Sequence, residues 1–139
     1  MSFAHRTFLF ASLLLCVSAF DTRSAEPNDS EFVEVSLIRL IANPERYDGK
    51  PVMLEGIAHF DSKNGINAIF LTRDDKRAGN GLNGIFLVFA SSVPNMDHLN
   101  DRYVLARGIF HADMKGRLSS FSASLTDVSL VKSLQTNIK

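Results

Sequence analysis

Apolar positions recur along this chain at two different periods, and the change between them divides it. Thr7 to Phe20 is almost wholly apolar (Phe8, Leu9, Phe10, Leu13, Leu14, Leu15, Val17), and Phe20 to Ser30 is a polar stretch around Pro27 that reads as a linker. From Val33 the apolar residues fall at Val33, Leu37, Leu40 and Ile41, the spacing of a short helix. Ser36 stands where a helix cap is wanted. The helix should stop at Asn43, because Pro44 pushes its predecessor out of helical geometry. Pro44 then opens a single further turn, Tyr47 drops onto the core, and Asp48-Gly49 turns the chain.

After Pro51 the period becomes two. Val52, Leu54, Gly56, Ala58 and Phe60 alternate with Met53, Glu55, Ile57 and His59, a long strand. Lys63-Asn64-Gly65 is a hairpin turn, with Asn-Gly supplying the left-handed positions, and Ile66 to Arg73 is a second strand. Asp74 to Gly84 is polar and rich in Gly and Asn, a loop. Ile85 to Ala90 is a short apolar strand expected to be buried on both faces. Ser91 to Asn100 connects, with room for one helical turn. Tyr103 to Ala112 is a fourth strand and Lys115-Gly116 a turn. In the fifth strand, Phe121 to Val131, the alternation slips by one between Leu125 and Val128, as a bulge would cause. From Lys132 the tail is polar and expected to fray.

Two strands carry a glycine at mid-length, Gly56 and Gly108. Such a residue lets a strand bend sharply enough to serve two sheets. Five strands of this kind predict a mainly β domain: a five-stranded Greek-key barrel like the oligonucleotide/oligosaccharide-binding (OB) fold, with a short N-terminal helical segment. The alternative is an open antiparallel sheet with the helix on one face. The expected organisation is a signal peptide at 1–25, a linker at 26–34, the barrel at 35–132 and a flexible tail at 133–139.

The first segment sets the compartment. Arg6, the apolar run, and the small residues at Val17-Ser18-Ala19 or Ser24-Ala25 follow the order a signal peptidase reads, with cleavage after Ala19 or Ala25. The run is shorter than the roughly 20 residues a membrane span needs, so no stable anchor is expected after processing. The product would be periplasmic or secreted. Cys16, the only cysteine, lies inside this segment, so the processed domain has no disulfide, thiol nucleophile or cysteine metal ligand. The chain has 15 basic and 15 acidic residues; residues 1–25 hold Arg6, Arg23 and Asp21, leaving 13 against 14. That balance disfavours generic nucleic-acid binding, whose non-specific affinity comes from neutralising phosphates.

One near-repeat stands out. Gly56-Ile57-Ala58-His59-Phe60-Asp61-Ser62-Lys63 is echoed by Gly108-Ile109-Phe110-His111-Ala112-Asp113-Met114-Lys115, each running from a strand into a turn. A His and an Asp two apart on a strand share a face. His59, Asp61, His111 and Asp113 are therefore the nearest approach to a His/carboxylate metal site. If the first and fourth strands are antiparallel neighbours, however, the two pairs lie on the order of 20 to 30 Å apart. No metal and no cofactor is expected on this reading. The aromatics Phe60, Phe70, Phe86, Phe89, Tyr103, Phe110 and Phe121 are expected to be core, with Tyr103 and Phe70 the readiest candidates for a surface. No nucleophile elbow, phosphate loop or zinc-protease helix is present, and His98 stands isolated beside Asp97.

Asn43-Pro44-Glu45-Arg46-Tyr47-Asp48-Gly49-Lys50-Pro51-Val52 with Gly56, and Arg102-Tyr103-Val104 with Gly108, resemble small exported bacterial proteins built on this barrel, over roughly residues 36–131. The resemblance implies the fold, including the first and fourth strands as neighbours, and transfers no catalytic residue. The expected role is an exported binding or adaptor module of the cell envelope. Its partner would be an envelope protein or glycan, or a short oligomer, rather than nucleic acid. The alternatives are a nucleic-acid-binding OB domain and a hydrolase of unknown substrate. The ligand-binding candidates are Lys63, Arg73, Lys76, Arg77, Tyr103, Lys115 and Arg117, on loops and strand faces; catalytic residues, none.

Overall fold

The computed structural model describes residues 31–91 and 95–134. The proposed signal and most of the linker, at 1–30, and the final five residues lie outside them. Six strands are found among the described residues: β1 (Val33–Glu34), β2 (Pro51–Asp61), β3 (Ile66–Phe70), β4 (Gly84–Phe89), β5 (Tyr103–His111) and β6 (Ala123–Ser133). The sheet order is β1-β2-β3-β4-β6-β5, and β5 pairs back to β2, closing a five-stranded ring. β4 and β6 run parallel, and every other contact in the ring is antiparallel. This is an OB-like Greek-key barrel, not the open sheet.

β2 makes the ring possible by belonging to two ladders. Residues Pro51 to Ile57 pair with β5, and Ile57 to Asp61 pair with β3. The switch falls beside Gly56, where a Cβ would lie 2.5 Å from Ile69 Cγ2 and 2.7 Å from the Phe70 carbonyl oxygen. No side chain fits there. Gly108 faces Thr126 with the same closeness, 2.5 Å from a built Cβ to the carbonyl oxygen, where the β5–β6 register shifts. The slip expected in the last strand is a bulge at Asp127, whose φ is +48°.

The interior is filled by alternate residues of all five ring strands, among them Val52, Leu54, Ile69, Ile85, Val104, Phe110 and Leu125. α1 (Leu37–Ala42) adds Leu37 and Leu40 to the same cluster, and Tyr47 packs against it. The helix stops where expected: Asn43 N–H donates to Arg39 O, and Pro44–Arg46 forms one 3₁₀ turn. Ser36 occupies the N-cap position, but its side chain makes no capping hydrogen bond. No helix among the described residues is long and apolar enough to cross a membrane.

Several expectations need correcting. The helical pattern does not begin at Val33. Val33 and Glu34 pair in parallel with Val52 and Met53, covering the edge of β2 that β3 does not reach; an uncovered edge invites other strands. The second strand ends at Phe70, and the polar stretch from Arg73 opens with α2 (Arg73–Ala78). Its ends are capped: the Thr72 hydroxyl oxygen accepts from Asp75 N–H at 3.0 Å, and Gly79 (φ +66°) sits left-handed at the C-terminus. No residue of α2 is fully buried, so no apolar period announces it. β4 is not buried on both faces, since Val88 is exposed and Phe86 only half-buried. β6 continues to Ser133 rather than fraying at Lys132.

Candidate functional site

The outer face of β3 and β4 carries a second, smaller apolar cluster of Ala68, Phe70 and Phe121, with Ile66 and Phe86 against it. Phe121 stands 6.0 Å from Phe70 and 5.3 Å from Phe86, centroid to centroid. The connection between β5 and β6, residues 112–122, folds down over these rings. Phe60 and Phe110 are in the interior as expected. Phe70 and Phe86 instead point outward beneath this loop, packed by its own Phe121, and Phe70, 4% exposed, is not a surface ring.

Beside this cluster runs a groove with two lobes that share His59 and Lys76 as a common wall. One lobe, about 450 Å³, is lined mostly by polar residues, among them Asp61, Lys63, Asn100 and Asp101. The other, about 380 Å³, is floored by Ile66, Phe70 and Phe121 and rimmed by Asn64, Arg117 and Leu118. In an OB-type barrel, ligands bind across this face and the first and last hairpin loops.

Each wall residue is held by something identifiable. Lys76 projects from α2 and is only 13% exposed; its ammonium meets Asp101 Oδ1 at 2.5 Å. Arg73 Nη2 donates to the Asp101 carbonyl at 3.1 Å, so two cations of α2 grip one residue ahead of β5. Asp101 takes a left-handed backbone (φ +63°), which Asp tolerates better than most residues. The hydrogen bond from Lys76 holds its carboxyl below the usual carboxylate range, with the Lys76 and Arg73 charges acting the same way. His59 meets the edge of Phe70 with ring centroids 6.1 Å apart. Burial and the Lys76 ammonium lower its pKa against the opposing pull of Asp61 and Asp101, which favours neutral imidazole at neutral pH.

Asn100 extends the β2–β5 ladder past the end of β5. Its Oδ1 accepts from Phe60 N–H at 2.7 Å, and its Nδ2 donates to Phe60 O at 2.8 Å. Asn100→Ala should cost about 2 kcal/mol by leaving both backbone groups without these partners. Denaturant unfolding would show this as a lower midpoint at unchanged slope.

The candidate residues divide. Lys63, Lys76 and Arg117 line the groove, and Arg73 braces it. Arg117 Nη1 donates to Asn64 O at 2.6 Å, tying the two hairpin loops together at the rim. Arg77 is exposed and pairs with Asp74 on the helix surface. Lys115 is exposed and lines neither lobe. Tyr103 lines a different pocket, of about 280 Å³, with Glu34 and Glu55; desolvation and Glu55 raise its pKa. Sequence reading missed Asn100, Asp101 and Leu118. The first two act through partners 25 to 40 residues away, and no local pattern marks them.

The near-repeat separates as the antiparallel pairing requires. His59 lies two residues beyond the Ile57–Tyr103 pair at one end of the ladder, and His111 two beyond the Pro51–Ile109 pair at the other. Asp61 is occupied by its own turn, accepting from Lys63 N–H, Asn64 N–H and Asn64 Nδ2 at 2.7–3.1 Å; the bonds from Asn64 lower its pKa most. His111 and Asp113 meet a third residue that spacing could not supply, Asp48.

No protein-family model matches the chain, and no curated protein matches it. Among solved structures it is similar to the S. pombe Stn1-Ten1 complex (TM-score 0.48, 12% identity, 77% of this chain and 80% of that one). It is likewise similar to the telomere capping protein Ten1 from Saccharomyces pombe (0.46, 13%, 73% and 80%). A DUF3299 family protein from Pseudomonas aeruginosa PAO1 shows the same order of similarity (0.47, 15%, 66% and 65%). The assignment to the OB-like barrel class rests on the strand ring described above.

Proposed function

We propose that this protein is an exported binding module of the cell envelope, and that it docks a partner protein through the rim formed by residues 62–65 and 112–122. Export rests on the order of charge, apolar run and small residues within 1–25. Docking rests on Leu118. This leucine is 89% exposed at the tip of the loop, in a left-handed conformation (φ +57°, ψ +25°), and Ser119 follows it at φ +54°. A lone exposed leucine needs no explanation. A leucine also held in the left-handed region carries strain on the order of 1–2 kcal/mol, and such strain collects where chains bind or react. It lines the same lobe as Arg117 and Lys76, so the apolar knob shares its lobe with two cations. A partner surface with an apolar pocket bordered by carboxylates complements that arrangement.

The aromatic rings give less support to a single-stranded nucleic acid. Base stacking needs an accessible ring face, and Phe70 and Phe121 are 4% and 7% exposed.

Leu118→Asp tests the reading, because the exposed side chain is dispensable for folding. Envelope proteins captured by the wild-type chain should include at least one that Leu118→Asp loses and Arg77→Ala retains, with Tm lowered in neither variant. Identical capture by Leu118→Asp and wild type would refute it. So would a chain whose affinity is for oligonucleotides and falls steeply with salt.

A further inference from the structure

We propose that Asp48, His111 and Asp113 form a binding site for one first-row divalent cation, with Zn²⁺ as the probe. The site is separate from the groove, at the opposite end of the β2–β5 ladder. One donor atom from each of the three side chains lies within 4.8 Å of the other two. A shared ion at about 2.0–2.2 Å from each donor would draw the three atoms closer together than this.

The backbone fixes this convergence. Asp48 Oδ1 accepts from Ala112 N–H, the residue between the other two ligands, at 2.9 Å. Gly49 N–H donates to Phe110 O at 2.8 Å, and Phe110 N–H donates to Lys50 O at 3.0 Å. Three hydrogen bonds thus register the Asp48 turn against the end of β5. His111 ends β5, and the bend at Ala112 and Asp113 brings the Asp113 carboxylate back toward it.

Charge points the same way. Two carboxylates are brought close, and neither makes an ion pair among the described residues, where the bridges are Lys76–Asp101 and Arg77–Asp74. A dication neutralises both. The donor set selects its class: an imidazole with carboxylates suits Zn²⁺ and its first-row neighbours, whereas Ca²⁺ and Mg²⁺ prefer oxygen alone. Three protein ligands leave a fourth position for water or for a group on a partner.

The other copy of the repeat is an internal control. Asp61 is already engaged by the turn at Lys63 and Asn64, and the Lys76 ammonium acts on His59. Among the described residues no third donor joins His59 and Asp61, so this copy lacks the convergence seen at Asp48, His111 and Asp113.

The experiment uses tag-free protein titrated with Zn²⁺ in a calorimeter, with Co²⁺ absorption as a second readout. One equivalent should bind, and saturating Zn²⁺ should raise Tm by linkage. His111→Ala and Asp48→Asn should each weaken binding at least about tenfold, a loss usual even for residues that only orient a ligand. Asp48→Asn keeps an oxygen that can accept from Ala112 N–H, so it separates lost coordination from lost structure. His59→Ala and Asp61→Asn should leave affinity unchanged. Absence of stoichiometric binding up to millimolar Zn²⁺ would overturn the assignment. So would binding that persists in His111→Ala, or binding that requires His59.

Discussion

Phe110→Ala should lower the unfolding free energy by about 4 kcal/mol, the largest single-side-chain effect expected in this barrel. Phe110 is fully buried and is the largest such side chain in the core. It stands on β5 with its backbone bonded to Gly49 and Lys50, so the turn behind it resists collapse into the space left. A site that relaxes little retains most of its cavity, and the cost rises with cavity volume. Phe110→Leu, which keeps most of the volume, should cost about 1.5 kcal/mol or less. Equilibrium denaturation of the two variants checks both figures. Equal losses would show that the ring is not closely packed at this level.

Gly108→Ala should cost about 3 kcal/mol although it adds one methyl group, with Tm falling by roughly 15 °C. The added carbon would stand 2.5 Å from the Thr126 carbonyl oxygen and 2.9 Å from Leu125 Cγ. A flexible side chain could swing away; a carbonyl in a paired strand cannot without breaking the ladder. The matched control is Gly79→Ala. Gly79 is left-handed at φ +66°, yet nothing lies within 4 Å of a Cβ there. Its substitution carries only the backbone penalty, about 1 kcal/mol. If the two glycines cost the same in thermal unfolding, backbone preference rather than close strand approach would be what conserves room at Gly108.

Most of the barrel was readable because its signals are local. Asn43-Pro44 stops a helix, Asn64-Gly65 turns a hairpin, and Gly56 and Gly108 mark bends whatever the rest of the chain does. The slipped alternation before Val128 reported the bulge at Asp127. α2 was missed because its signal is carried by caps rather than by an apolar stripe: Thr72 and Asp75 form a capping pair, and Gly79 ends the helix. Phe70 and Phe121 are buried as expected, but in the second cluster, and which face they take was not legible for a different reason. β3 and β4 have apolar residues on both faces, and alternation cannot say which face is the interior when a loop 40 residues on covers the other. The groove was partly legible, since Lys63, Lys76 and Arg117 are loop and helix cations. Asn100 and Asp48 were not, because their partners lie 40 and 64 residues away.

The order of strands around the ring bears on how the chain reaches its native state. β6, the last of the described strands, lies between β4 and β5 and is hydrogen-bonded to both. A nascent polypeptide ending before Ala123 therefore displays two unpaired edges at once, and such edges template aggregation. Sealing waits for β6 to be made and depends on long-range pairing that is intrinsically slow. Truncations removing Ala123–Ser133 should accumulate in inclusion bodies.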